Sequence, residues 1–126
     1  MATPKSGNWN GLFVCADRTI KVKLSLNFSR DGTVSGDFSF RDKKYSEDAR
    51  VGEVHGTFAD NTLALQLGGQ DAYASFHGQV HPALPNRQEM MFGLVHVHRR
   101  RKVESGVLVM FSELAQAESL SGWNGS

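Results

Sequence analysis

The spacing of two histidines, His96 and His98, is the feature of the sequence that most directly indicates chemistry. In a β-strand alternate side chains point the same way, so both imidazoles would lie on one face and could bind one metal ion. His77 and His81 share a face of the preceding segment, and Glu104 or Glu89 could add a carboxylate. Surface or interface histidines fit the same spacing, and Glu104 lies beyond a basic turn. The sequence therefore favours a structural role for the histidines and predicts no metal and no cofactor.

Two charged segments could bind ligands. Residues 99–102 read Arg-Arg-Arg-Lys, a run that a hairpin tip tolerates in water and that could contact phosphate or another polyanion. Residues 41–50 carry mostly charged side chains around Tyr45. This segment is interpreted either as a solvated connection or as a mobile lid whose Tyr45 closes on a ligand.

Signals for covalent catalysis are missing from the sequence. Cys15 has no neighbour along the chain that would mark it as a nucleophile, and a free cysteine is usually a small buried apolar residue. There is no nucleophile elbow, no paired-carboxylate spacing and no phosphate-cradling glycine loop. The sequence predicts a protein that is not an enzyme, with a histidine-based metal enzyme as a remaining alternative.

Composition restricts the class of protein further. The 126 residues suffice for one domain, and a single cysteine excludes an intrachain disulfide framework. A net charge of +1 makes nucleic acid an improbable main partner. No apolar run is long enough to span a bilayer, and residues 1–6 lack a secretory core. We expect no membrane partner and a cytoplasmic location, unless a signal peptide was removed.

The elements that must position these residues are strands. From Thr19 to Phe28 apolar and polar side chains alternate, and the pattern recurs between turns containing Gly, Asn or Asp. Eight segments are predicted as strands: 9–16, 19–28, 34–40, 51–59, 62–67, 72–80, 89–99 and 106–114. Short connections and the absence of helical periodicity predict an all-β fold, an eight-stranded antiparallel up-and-down β-barrel, with a two-sheet sandwich as the alternative. The domain spans 7–114, between a flexible N-terminus, 1–6, and a polar tail, 115–126.

The last two strands are apolar on both faces. Phe92 and Leu94 alternate with Met91 and Val95, and both sets require burial. A barrel buries only its inner face, so we expect a homo-oligomer, a dimer or tetramer, through strands 88–99 and 106–114. The sequence does not decide which face of strand 88–99 points inward.

Short motifs resemble those of a known family. Gly7-Asn8-Trp9 resembles the G-x-W that opens barrels of the calycin superfamily, and four later motifs resemble landmarks of avidin and streptavidin in the same order: 32–38, 54–57, 76–79 and 105–107. The resemblance implies an eight-stranded barrel, usually a tetramer, with a ligand pocket at one open end. The family expects a tyrosine at Phe38, an asparagine at Leu108 and tryptophans in the middle strands, so high-affinity biotin binding is not predicted.

The sequence thus predicts a non-enzymatic protein that holds a small apolar or amphipathic ligand at one open end. Side chains forming walls and lid would be Trp9, Phe38, Tyr45 and Phe92, while Asn10 and His96 would orient polar atoms. The competing hypothesis is an oligomeric interaction module that binds a protein or polyanion through its loops and the 99–102 hairpin.

Overall fold

The computed structural model describes residue 4 and residues 6–44, 47–68, 72–81, 88–99 and 101–113. Their regular structure consists of eight strands: β1 Gly7–Cys15, β2 Thr19–Phe28, β3 Thr33–Phe40, β4 Arg50–Ala59, β5 Thr62–Gly68, β6 Ala72–His81, β7 Met90–Arg99 and β8 Lys102–Ser112. The prediction of an all-β chain is confirmed. Within the described residues no helix has the length and apolar character needed to cross a membrane.

Side-chain alternation explains why the segments form strands. In β2 buried and exposed residues alternate without interruption from Thr19 to Phe28. Asp60 and Asn61 both adopt positive φ, which is the geometry of a tight hairpin turn between β4 and β5. Each strand is therefore paired with its neighbour in a register that keeps one set of side chains inside.

Pairing between the first and last strands closes the sheet. β1 pairs antiparallel with β2 on one side and with β8 on the other, from Trp9 opposite Ser112 to Cys15 opposite Gly106. All eight strands follow one another in sequence order around a closed barrel. The predicted up-and-down barrel is confirmed, and the sandwich alternative is wrong because a sandwich would leave β1 and β8 as separate edges.

The inward faces of all eight strands form the core. Large side chains that are fully or almost fully buried include Trp9, Leu24, Phe76, Met91 and Met110. Backbones approach closely between them: a Cβ atom on inward-facing Gly36 would lie 1.8 Å from the carbonyl oxygen of Ser25. Only glycine fits at this position between β2 and β3.

The register decides which face of β7 points inward. Met91 and Val95 are buried in the core, whereas Phe92 and Leu94 are exposed on the outer surface. β8 begins at Lys102, earlier than the predicted start at 106, because Arg99 pairs with Lys102 and His96 with Ser105. The basic run 99–102 is therefore only partly a hairpin tip, since its first and last residues belong to strands.

Candidate functional site

The two ends of the barrel differ in how fully inward side chains are buried. We call the end formed by the carboxyl ends of β1, β3, β5 and β7 the loop end. Inward apolar side chains deeper in the barrel are mostly buried, whereas Cys15 and five aliphatic or aromatic side chains near the loop end pack on the core yet stay partly exposed. The five are Phe38, Phe40, Leu67, Ala74 and Val97. This set, the loop-end lining, is an apolar inner surface that solvent still reaches.

Phe38 and Phe40 form the aromatic part of this lining. Their rings stack with centroids 5.8 Å apart and an interplanar angle of 24°. Gly52 lies opposite Phe38 on β4, and a Cβ atom there would lie 2.6 Å from the Phe38 ring. The missing side chain at Gly52 thus leaves the space that the Phe38 ring occupies.

Arg18, immediately before β2, is the centre of a charged cluster at the loop end. Its Nε donates to Asp42 Oδ1 at 2.9 Å, and its Nη2 donates to Asp42 Oδ2 at 2.7 Å. Nη1 and Nη2 also donate to the two carboxylate oxygens of Glu104, at 2.8 and 2.7 Å. Nη1 donates in addition to Asp17 Oδ1 at 2.6 Å. All three guanidinium nitrogens therefore donate to carboxylates, and we call these four residues the Arg18 cluster.

The cluster joins three parts of the chain. Arg18 belongs to the β1–β2 connection, Asp42 follows β3, and Glu104 faces inward from β8. Asp42 is 4% exposed and also accepts the backbone N–H of Lys44 at 3.2 Å, while the Lys44 amine lies 2.5 Å from Asp17. The first residues of the β3–β4 connection are thus anchored beside the loop-end lining.

The ion pairs shift the pKa values of the cluster. Hydrogen bonds to Glu104 and then Asp42 raise the pKa of Arg18, so the guanidinium stays charged. Burial by itself raises the pKa of Asp42, but hydrogen bonds from Arg18 and Lys44 outweigh it and the net pKa is lowered. Hydrogen bonds from Arg18 lower the pKa of Glu104, and those from Lys44 and Arg18 lower that of Asp17 to about 2. All three carboxylates are therefore ionised near neutral pH.

Cys15 lies next to the same cluster. Its Sγ is 3.3 Å from the carbonyl oxygen of Arg18, and one ligand atom each of Cys15, Asp17 and Glu104 lie within 4.8 Å of one another. Arg18 Nη1 already donates to both carboxylates, so a cation placed there would meet the guanidinium charge. The arrangement favours an ion-paired cluster over a metal centre.

Comparisons with known proteins address the fold. No protein-family model and no curated protein sequence matches the chain. Among solved structures, the rhizavidin–biotin complex superposes with a TM-score of 0.72 at 10% identity, covering 92% of this chain and 98% of rhizavidin. Apo shwanavidin gives 0.66 at 13% identity over 91% and 100% of the two chains. A shwanavidin variant bound to biotin gives 0.62 at 14% identity over 89% and 100%. The chain has an avidin-like fold.

The avidin-like barrel does not bring the five described site residues into one pocket, although Asn10 and Phe38 line the same groove. Trp9 and Phe38 face the interior, and Trp9 is 0% exposed with its Nε1 lacking a hydrogen-bond partner among the described residues. Asn10, Phe92 and His96 alternate along their strands with the inward-facing residues, so they face outward. Tyr45 lies outside the described residues. One pocket containing all six is therefore not formed, and the part of each in ligand binding stays a prediction.

The histidines of β6 and β7 lie on the outer surface of the avidin-like barrel. His98 stacks on Tyr73, His81 stacks on Phe92, and His96 Nδ1 lies 2.7 Å from Ser105 Oγ. Glu104 faces the interior, so it cannot complete a metal site with His96 and His98. The alternative of a metal set containing both histidines and Glu104 is not supported, because neighbouring strand residues point to opposite faces. The absence of a metal site stays a prediction.

A concavity of about 670 Å³ lies mainly on the outer face of β1 to β4, and Phe38 also lines it. Its polar lining includes Asn8, Asn10, Lys23, Asp37 and Glu113. Asn10 Nδ2 donates to Glu113 Oε2 at 2.9 Å, which ties the end of β8 to β1. Asn10 therefore lines this groove together with Phe38 of the loop-end lining, although the two residues belong to opposite faces of the sheet.

The contacts of the Arg18 cluster were not predicted from the sequence, which named Glu104 only as a possible metal ligand. Asp17 and Arg18 read as a polar turn, and Asp42 reads as part of the charged connection. A weak signal in the sequence indicates that Glu104 faces inward. Once β8 is extended to Lys102, Glu104 alternates in step with the inward-facing Gly106, Leu108 and Met110. Only the closed register shows that the three acids converge on one guanidinium.

Proposed function

We propose that this chain is a non-enzymatic binding protein that holds a small, apolar or amphipathic ligand at the loop end. The observation that carries the proposal is the loop-end lining, whose side chains face inward but remain partly exposed. Apolar side chains that face inward at the end of a barrel and remain partly exposed are the kind of residues that line small-molecule sites. The rhizavidin structure of the same fold is a biotin complex, which supports the proposal.

Two inward-facing residues argue against high-affinity biotin as the ligand. Phe38 has no hydroxyl, whereas the resemblance to avidins implies a tyrosine at this position. Leu108, where that resemblance implies an asparagine, is 3% exposed in the core. With fewer hydrogen-bonding groups facing the site, we infer a ligand recognised mainly by apolar contact, with the Arg18 cluster as its polar boundary.

Replacing each of two alanine residues by tryptophan tests the proposed site. Ala74 belongs to the loop-end lining, whereas Ala64 lies on β5 with its side chain on the outer face. Ala74→Trp should fill the site, and Ala64→Trp should add the same side chain elsewhere. The measurement is fluorescence titration with Nile red, an uncharged apolar dye, after circular dichroism has verified that each variant folds.

We expect saturable binding by wild type and Ala64→Trp and at least tenfold weaker binding by Ala74→Trp. Native mass spectrometry of freshly purified protein provides an independent test of a co-purified ligand. Equal dye binding by the two variants, or no saturable binding by the wild type, would contradict a site at the loop end.

We also propose that the protein self-associates through the outer faces of β7, β8 and β1. Seven apolar side chains on this face are between 41% and 56% exposed: Leu12, Val14, Phe92, Leu94, Val103, Val107 and Phe111. Val14 lies opposite Val107 and Leu94 is also opposite Val107, so the patch is continuous across three strands. Apolar surface of this continuity is typical of an interface, and a second copy supplies a matching apolar surface.

A further inference from the structure

Basic side chains are concentrated at the loop end. Among the described residues, the turns, connections and strand ends there carry eight basic side chains, namely Arg18, Arg41, Lys43, Lys44, Arg50, Arg99, Arg101 and Lys102, and five acidic ones, namely Asp17, Asp42, Glu47, Asp48 and Glu104. The surplus is three positive charges. The other described residues carry three basic and six acidic side chains, a surplus of three negative charges. A net charge of +1 therefore hides a strong polarity along the barrel.

The cations that remain available at this end are exposed. The acids of the Arg18 cluster are bonded to Arg18, and Asp17 also to Lys44. Five exposed cations have no hydrogen bond or ion pair with another residue in the described part of the chain: Arg41, Lys43, Arg50, Arg101 and Lys102. We call these five the cationic rim.

Strand register places the cationic rim next to the lining. Arg50 pairs with Phe40, and Lys102 pairs with Arg99, two residues beyond Val97. Arg50 and Lys102 are the first residues of β4 and β8, and both stand at inward-facing positions at the loop end. Two residues along a strand span roughly 7 Å, so one compact molecule can touch the lining and the rim together.

We propose that the ligand of the loop end is an anionic amphiphile, which rests on the proposed function of this end as a binding site. Its hydrocarbon part packs on the loop-end lining, and its carboxylate, sulfate or phosphate lies among the cations of the rim. Arg18 does not receive this anion, because all three of its nitrogens already donate to carboxylates. Rim charges attract the anion over several ångströms and set the sign of the head group that binds.

A charge series of ten-carbon probes tests the proposal. Decanoate, decanol and decyltrimethylammonium share one chain length and differ in head-group charge. The measurement is the displacement of Nile red by each probe, below the micelle-forming concentration of the two charged probes and below the solubility limit of decanol. The variant Arg50→Glu/Lys102→Glu reverses two rim charges. Its matched control, Lys23→Glu/Arg30→Glu, makes the same change in net charge at exposed positions away from the loop end.

We expect wild type and control to prefer decanoate over decanol by about tenfold, as two or three exposed ion pairs would produce. The rim variant should lose this preference while binding decanol unchanged, and added salt should weaken only decanoate binding. Equal affinity for the three head groups, with binding still blocked by Ala74→Trp, would overturn the anionic preference and leave the proposed site intact. Absence of binding by all three probes would overturn both proposals.

Two further arms distinguish the source of the anion and the class of partner. Flotation with vesicles of neutral or anionic phospholipid measures whether the head group is recognised in a membrane or in the free amphiphile. The second arm measures binding of a single-stranded oligonucleotide. If the protein binds the oligonucleotide but not decanoate, and Ala74→Trp leaves oligonucleotide binding unchanged, the cationic rim would be a polyanion site and the anionic-amphiphile proposal would be overturned.

Discussion

The guanidinium of Arg18 and the carboxylate of Asp42 form a bidentate ion pair at the loop end, with N–O distances of 2.7 and 2.9 Å. Asp42 is 4% exposed and the Arg18 side chain is 15% exposed, so the pair is largely removed from solvent. Charge-assisted, two-point contacts of this kind hold both groups in one orientation. The pair joins the β1–β2 connection to the neighbouring β3–β4 connection at the loop end.

Removing the guanidinium should destabilise the fold. In Arg18→Ala the buried Asp42 and the nearly buried Glu104 lose their main counter-charge, and we expect a loss of about 2 to 4 kcal/mol in the free energy of unfolding. Arg18→Lys keeps the charge but loses the two-point geometry, so its loss should be intermediate. Urea denaturation measures both, with Arg30→Ala at an exposed turn as the control. A loss below 0.5 kcal/mol, within the range of exposed surface changes, would show that the cluster contributes little.

Acid should weaken the same contacts. The pKa values of Asp42 and Glu104 are lowered in the folded protein, so their stabilisation is complete above the ordinary carboxyl pKa of about 4 and is lost as pH falls through the lowered values. We expect the urea midpoint of the wild type to be flat near neutrality and to fall between about pH 5 and pH 2.

The Arg18→Ala variant provides the comparison for this pH dependence. Without Arg18, burial would favour protonated Asp42, so acidification should narrow the gap in stability between variant and wild type. The check is a series of urea midpoints for both proteins across this range. A gap that stays constant with pH would contradict the assigned cause of the pKa shifts.

Gly36→Ala should be strongly destabilising. The added Cβ would lie 1.8 Å from the backbone oxygen of Ser25, and neighbouring strands cannot separate without breaking the ladder. We expect a loss of about 3 kcal/mol or more. Gly52→Ala is the matched comparison, because its Cβ would meet the ring of half-buried Phe38, which can turn aside. Thermal denaturation should show a smaller loss at position 52, and the reverse order would refute this account.

Leu94→Lys should reduce self-association. Leu94 lies within the apolar outer patch and is 56% exposed in the single chain, so a charge there opposes burial against a second copy. Val51→Lys makes the same kind of change at a position on β4 that is 75% exposed and outside the patch. Sedimentation velocity should show a lower mass for Leu94→Lys only. Identical masses for wild type and both variants would exclude this face as the interface.

Much of the fold could be predicted because it depends on local patterns. The alternation from Thr19 to Phe28 indicates a strand, and the Asp60-Asn61 turn indicates a hairpin. Eight strands joined by short connections can leave no unpaired edge strand by closing into a barrel. The start of β8 was predicted at 106 and lies at Lys102, since its first residues include charged side chains and pair only through the β7 register.

The candidate site depended on information that lies outside any one segment. Phe92 and His96 are residue types that often line binding sites. Successive residues of a strand point to opposite faces, and the register of β7 places these two on the outer face. Arg18, Asp42 and Glu104 are far apart along the chain and meet only because closure between β1 and β8 brings their elements to one end. The sequence by itself determined the strands, the turns and the apolar surplus of β7 and β8. Only the tertiary structure decided which side chains share the interior, since that choice is a property of strand pairing around the whole barrel.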